Sequence, residues 1–249
     1  MALLAVEDLH KSYAGVLAVR GVSFELAEGE VLALIGPNGA GKSTCFGMLN
    51  GQIKPNRGAI FLDGRNIAGL APRRIWRLGV GRTFQVTATF GSMTVVENVQ
   101  MALLSDRRRL GGFWHPVRDL LRVEAIELLA CVGMADQAER PSGILAYGDL
   151  KRLELAIALA NNPRLLLMDE PTAGMAPKER VALMALTAEL ARTRRISVLF
   201  TEHDMDVVFT HADRIVVLSY GEIIAQGKPE AVRADPQVQK VYLGSWSGR

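Results

Sequence analysis

Nine consecutive residues, Gly36, Pro37, Asn38, Gly39, Ala40, Gly41, Lys42, Ser43 and Thr44, constrain this chain more than any other segment. They match the pattern G-x-x-x-x-G-K-[ST] and follow the apolar run Val31–Ile35, which reads as a buried strand. The residues after them, Cys45–Leu49, are compatible with a helix. Glycines let the backbone curl so that successive N–H groups point inward at phosphate oxygens. Lys42 then supplies a point charge for β- and γ-phosphates, Ser43 a hydroxyl for Mg²⁺, and the helix starting near Gly41 the positive end of its dipole. The pattern alone also fits an ordinary Gly-rich turn; the flanking strand and helix argue for phosphate binding.

Around this loop the chain punctuates itself as α/β. Leu4–Leu9, Ala18–Val22 and Ser23–Leu26 read as short strands punctuated by Gly15, Gly21 and Gly29. Gly58–Gly64 gives another strand closed by a turn, Arg73–Leu78 a helix, and Val80–Phe84 a strand. From Met93 to about Ala160 the pattern is mainly helical, with breaks at Gly111, Gly112, Pro116 and Pro141. Leu165–Met168 and Ile196–Thr201 are apolar strands around a helix over Lys178–Arg192. Apolar strands alternating with helices imply a parallel sheet covered on both faces. Arg214–Ser219 and Glu222–Ala225 close as a hairpin, and Pro229–Ala234 and Pro236–Leu243 form short terminal helices.

At 249 residues and 49% hydrophobic, the chain can bury a large core. The expected division is a single domain: a core with its β lobe over residues 1–92 and 161–228, a helical insertion over about 93–160, and terminal helices over 229–249. No stretch approaches the roughly 18 apolar residues of a membrane span. The start, Met1–Val6, runs straight into Glu7 and Asp8, unlike a signal peptide. The expectation is a cytoplasmic chain whose membrane role, if it has one, comes through a partner. A net charge of +3, 6% aromatics and dispersed basic residues argue against nucleic acid. Cys45 and Cys131 form neither a disulfide framework nor a metal spacing. Cys45 is expected to be a small buried helix residue, the alternative being a thiol whose oxidation obstructs nucleotide.

A phosphate loop needs a second element to hold metal and orient water. Leu165–Glu170 supplies four apolar residues and then two carboxylates at a strand end. Asp169 is the expected Mg²⁺ ligand and Glu170 the expected general base toward the attacking water. Gln85 follows one strand and can reach Mg²⁺ and the water; His203 ends another near the γ-phosphate. Each of these is weak alone. Their order and their placement on strand ends make them a set.

With Leu145, Ala146, Tyr147, Gly148 and Asp149 ahead of a helix expected over Leu150–Ala160, the chain resembles the ATP-binding subunits of ABC transporters over essentially its whole length. By that resemblance Gly36–Thr44 is the Walker A loop, Gln85 the Q-loop, Leu145–Asp149 the signature, Leu165–Glu170 the Walker B strand and His203 the switch histidine. Tyr13 falls where the family stacks an aromatic on adenine; the alternative is a packed strand-end tyrosine. The implied fold is a P-loop NTPase core of mostly parallel sheet with an antiparallel β lobe and a helical insertion, and the implied ligands are ATP and Mg²⁺. Arg82–Gln85, Met93–Asn98, Leu145–Gly148, Thr201–Met205 and Val241–Gly244 are similar to the branched-chain amino-acid importer subgroup, while urea and short-amide systems share much of this vocabulary. The resemblance implies a second ATPase subunit, permease subunits docking near Gln85–Met93, a solute-binding protein acting indirectly, and a place on the cytoplasmic face of the membrane.

Two departures stand out. The family signature Leu-Ser-Gly-Gly-Gln has Ala146, Tyr147 and Asp149 in place of its Ser, first Gly and Gln. Asp149 is expected to cap the following helix, the alternative being a carboxylate that repels phosphate. Where the family commonly places an inter-subunit Asp after Walker B, this chain has Ala176, which implies looser coupling between ATP sites. Phe90 and Met93 are candidates for the permease seat. Arg107–Pro116 reads either as a face toward anionic lipid or a partner, or as a solvated helix end with buried aromatics.

Overall fold

The computed structural model describes residues 2–83, 89–107 and 121–242. The first two strands, β1 (Ala2–Tyr13) and β2 (Val16–Ala27), pair antiparallel, and β4 (Arg57–Leu62) and β5 (Arg65–Asn66) extend them into a sheet of order β2-β1-β4-β5. The sequence divides this region into three short strands, with a break between Val22 and Ser23 just after Gly21. In the structure β2 runs through Gly21 unbroken. Leu9 pairs with Val22 and His10 with Arg20, so Gly21 is the extra residue of a bulge, at φ 70.

The central sheet has the order β10-β9-β3-β8-β7-β6, with β3 (Val31–Ile35), β6 (Val80–Arg82), β7 (Leu165–Asp169), β8 (Ser197–Thr201) and β9 (Arg214–Ser219) parallel and β10 (Glu222–Gly227) antiparallel at one edge. Every residue of β3 is buried, and their alternation sorts them to two cores. Val31, Ala33 and Ile35 face the core shared with helices α3 (Val95–Arg107), α4 (Arg122–Cys131), α5 (Tyr147–Leu159) and α6 (Pro177–Arg194). Leu32 and Leu34 face the core shared with β1, β2, β4 and helix α1 (Lys42–Leu49). A strand buried on both faces reads as continuous apolar sequence, as these do.

Short helices complete the chain: α2 (Pro72–Trp76), α7 (Met205–His211), α8 (Pro229–Ala234) and α9 (Pro236–Tyr242). Val232 and Val238 anchor the last two in the core on the helical face of the sheet. Cys45 is fully buried in α1, and burial pushes its thiol up to about 12, the inert small-residue outcome.

The loop between β3 and α1 is tightly enclosed. A Cβ at Gly41 (φ 102) would lie 2.5 Å from the Ala18 carbonyl of β2. At Gly39 (φ 81) nothing lies within 4 Å. Gly41→Ala therefore combines left-handed backbone strain, about 1–2 kcal/mol, with overpacking of about 1–3 kcal/mol. Gly39→Ala carries the strain alone. Thermal melts of the two variants should separate by several degrees, at roughly 2–4 °C per kcal/mol for a chain of this size. Equal melting temperatures would remove the steric role of Ala18.

Candidate nucleotide site

The parallel strands β3, β7 and β8 end side by side, and the loops leaving their carboxyl ends gather the candidate residues, as open α/β sheets generally do. After β3 the chain turns through Gly36–Gly41 into α1, which has no acidic residue in its first turn. The free N–H groups there and the helix dipole favour an anion. Lys42, 6% exposed, bends back so that its Nζ donates to the carbonyls of Gly36 (2.7 Å) and Pro37 (3.1 Å). These acceptors are neutral. The ammonium therefore keeps its charge for an incoming phosphate. Burial lowers the Lys42 pKa, and the charges of Glu170 and Asp169 oppose that effect. Ser43 is exposed beside it.

β7 ends on Asp169, and β8 holds the Asp169 carboxylate and the Glu170 backbone. Asp169 Oδ1 accepts a 2.7 Å hydrogen bond from Thr201 Oγ1. The Glu170 N–H is donated toward Thr201 Oγ1 (3.0 Å) and Thr201 O (3.2 Å), with Glu170 itself at φ 50. A non-glycine residue in this region is strained, and the two acceptors on Thr201 hold it there. His203 Nε2 lies 2.9 Å from Glu170 Oε1. Asp169, Glu170 and His203 thus form one cluster, with Lys42 within its field. Arg82, at the end of β6, joins it: burial lowers its pKa, and the charge of Asp169 opposes this.

Tyr13, at the end of β1, is 46% exposed, with Lys11 Nζ 5.2 Å from its ring centroid. The packed-tyrosine alternative does not hold. Gln85 lies outside the described residues, as do most of Arg107–Pro116 and the end of Val241–Gly244.

Leu145–Asp149 sits apart from this cluster, at the start of α5. The helix begins at Tyr147 rather than Leu150, with Ala146 as its N-cap in extended conformation. Asp149 is consequently not a cap. It occupies the first turn, where its charge suits the dipole, and its Oδ2 accepts from Gln137 Nε2 at 3.3 Å. Asp is a good cap and Ala146 offers no capping oxygen, so the sequence pattern points to the wrong residue as the start of this helix. Tyr147 stands where the family signature has its first Gly, and its side chain makes contacts that a glycine lacks. Its hydroxyl donates to the Ala173 carbonyl (3.1 Å) and its ring packs against Gly174, tying the start of α5 to the loop after Glu170. A Cβ at Gly148 would come within 2.8 Å of Glu179 Oε1, so a larger residue there would displace the end of that side chain. Behind them Lys151 and Glu154 form a buried ion pair at 3.0 Å. Ala176 is the N-cap of α6 and, lacking a side-chain acceptor, has only the reach-back bond of Glu179 to its N–H (3.2 Å).

Sequence reasoning missed Thr172, Thr201 and Glu202. Their only signal is a run of polar residues at two strand ends, Asp169–Thr172 and Thr201–Asp204, whose mutual pairing is not local.

The family model for ABC transporters matches residues 19–173, which includes the phosphate loop, the start of α5 and both carboxylates. The chain belongs to the ABC transporter family. It is an ATPase of that family, and its fold is the ABC ATPase fold. A second family model, for branched-chain amino acid ATP-binding cassette transporters, matches residues 222–245. Similar curated proteins include the high-affinity branched-chain amino acid transport ATP-binding proteins BraF of Pseudomonas aeruginosa and LivG of Escherichia coli. BraF is 43% identical, covering 97% of this chain and 98% of its own length; LivG is 40% identical, with the same two coverages. Among solved structures, an ATP-binding cassette of an ABC transporter in its ADP conformation superposes with a TM-score of 0.89. It is 30% identical and covers 98% of this chain and 100% of its own. A dimeric bacterial ABC transporter cassette gives 0.76 at 26% identity, covering 91% and 98%. Among the described residues no helix is long and apolar enough to cross a membrane.

Proposed function

We propose that this ATPase powers import of branched-chain or other hydrophobic amino acids, as a peripheral subunit held at the cytoplasmic face of the membrane by permease subunits. The observation that carries the solute class is the match of residues 222–245 to the branched-chain family model, joined to relatives of that name along almost the whole chain. Two such subunits, identical or homologous, sandwich ATP head to tail. The phosphate loop of one then faces Gly148 of the other, where the free N–H groups at the start of α5 meet phosphate.

In this reading Tyr13 stacks on adenine, the Gly36–Thr44 backbone and Lys42 hold the phosphates, and Glu170 takes a proton from the attacking water. His203, 2.9 Å from Glu170, steadies that carboxylate and the γ-phosphate region. Ser43, Asp169 and Gln85 would hold Mg²⁺, which would neutralise negative charge on the phosphates. The donor set fits a hard cation: Ser43 is exposed, and the Asp169 carboxylate accepts one hydrogen bond, from Thr201, among the described residues. Permease docking at the Gln85–Met93 segment is supported by Phe90. Its backbone is tied to Asn98 and Ser142 of the insertion, while the residue stays 54% exposed.

The test is uptake by the chain reconstituted with its membrane subunits and solute-binding protein in vesicles. ATP-dependent accumulation of leucine, isoleucine or valine is expected. Preferential uptake of urea or short amides would replace the solute assignment, and ATPase activity with no uptake of either class would remove the importer role.

A further inference from the structure

We propose that Glu202, rather than being mere filling beneath the site, is a positioning residue that sets the separation of Glu170 and His203. The inference rests on the general-base reading of Glu170 given above. The β7–β8 ladder ends at the pair Asp169↔Thr201, and the last main-chain link beyond it is the Glu170 N–H to Thr201 O. Past that point the two chains carry the reacting groups with no further ladder between them.

Glu202 bridges this gap with its two carboxylate oxygens. Oε1 accepts from both the N–H (2.8 Å) and the hydroxyl (2.6 Å) of Thr172, two residues beyond Glu170. Oε2 accepts from the N–H of His203 at 3.1 Å. The His203 ring returns to Glu170, closing a loop of contacts that runs Glu170, His203, Glu202, Thr172. Glu202 is 4% exposed and makes no ion pair among the described residues. A carboxylate in such surroundings is costly unless hydrogen bonds satisfy it. Three donors do so here, and all three come from the two segments that bear the chemistry. An apolar residue or a glutamine would fill the same space without gripping both segments at once. Hydrogen bonds to a charged acceptor are about twice as strong as neutral ones, which suits a clamp.

The test is steady-state ATP turnover of the assembled transporter with Glu202→Gln and, separately, Thr172→Val, each in the parent and in a His203→Ala background. Displacement of a reacting group by about 1 Å can lower rate roughly 100-fold. Glu202→Gln is therefore expected to reduce kcat by about 10- to 100-fold with the ATP KM within about threefold, and Thr172→Val to act in the same sense more weakly, with Thr172→Ser restoring the rate. In the His203→Ala background both effects should shrink to less than about threefold, because the group being positioned is gone. Should Glu202→Gln fail to fold, Thr172→Val carries the same comparison. Full multiplicative effects in both backgrounds, or a parent-like kcat, would overturn the proposal. A parallel Glu170→Gln separates the two ideas: turnover surviving that change rejects the general base, whereas its loss alongside a parent-like Glu202→Gln rejects only the clamp.

Discussion

Glu170→Gln is expected to leave ATP binding within a few-fold of the parent while lowering turnover by about 100- to 10,000-fold, the range that a positioned general base contributes. The side chain keeps its size and one oxygen, so the hydrogen bond with His203 Nε2 can persist. The backbone conformation at φ 50 is held by Thr201 rather than by the carboxylate, so it is expected to stay. What disappears is the capacity to take a proton from water. The measurement pairs nucleotide binding by a fluorescent ATP analogue with phosphate release under saturating ATP and Mg²⁺. A kcat within threefold of the parent would mean that another group accepts the proton.

Lys42→Met addresses the other half of the site. Truncating one partner of a buried charge pair typically costs 2–5 kcal/mol, a loss of ATP affinity of roughly 30-fold to a few thousandfold. The nucleotide-free fold should suffer little. Lys42 is held below the ordinary lysine range by burial, against the pull of Glu170 and Asp169. A cation with a folded pKa below its unfolded value binds its proton less tightly when folded. At neutral pH its charge therefore costs stability, and the cost is relieved as pH rises through that lowered pKa toward the unfolded one. Methionine keeps the aliphatic stem and removes the buried charge, which offsets the lost bonds to the Gly36 and Pro37 carbonyls. In the parent, ATP at 100 times its Kd stabilises by about 2.7 kcal/mol, which for a chain of this size raises the melting temperature by roughly 5–11 °C. At the same ATP concentration that rise should fall to about 0–4 °C in the variant, while the nucleotide-free melt moves by only a few degrees. A retained ATP-dependent shift would show that the ammonium is dispensable.

Local chemistry made much of this site legible. Gly36–Thr44 announces phosphate binding because loop, lysine and hydroxyl are contiguous, and Leu165–Glu170 announces its partner because four apolar residues deliver two carboxylates to a strand end. Local reading failed where one residue type serves two purposes. Gly21 looks like punctuation between short strands and is a bulge inside one long strand; Asp149 looks like a cap and lies within the first turn of its helix.

The remainder needed three dimensions. An unbroken apolar run such as Val31–Ile35 says that both faces are buried, yet only the packed sheet shows odd residues meeting the helices and even ones the β lobe. The glycine at 41 is recognisable as motif, but its obligation comes from the Ala18 carbonyl on a strand that precedes it. The Glu202 link to Thr172 joins residues 30 apart in sequence. The sequence by itself determined the family and singled out the phosphate loop and the two carboxylates as candidates, because covalent neighbours carry those signals. Only the tertiary structure decided which groups hold those carboxylates in place, since hydrogen bonds between parallel strand ends depend on register and leave no trace in local pattern.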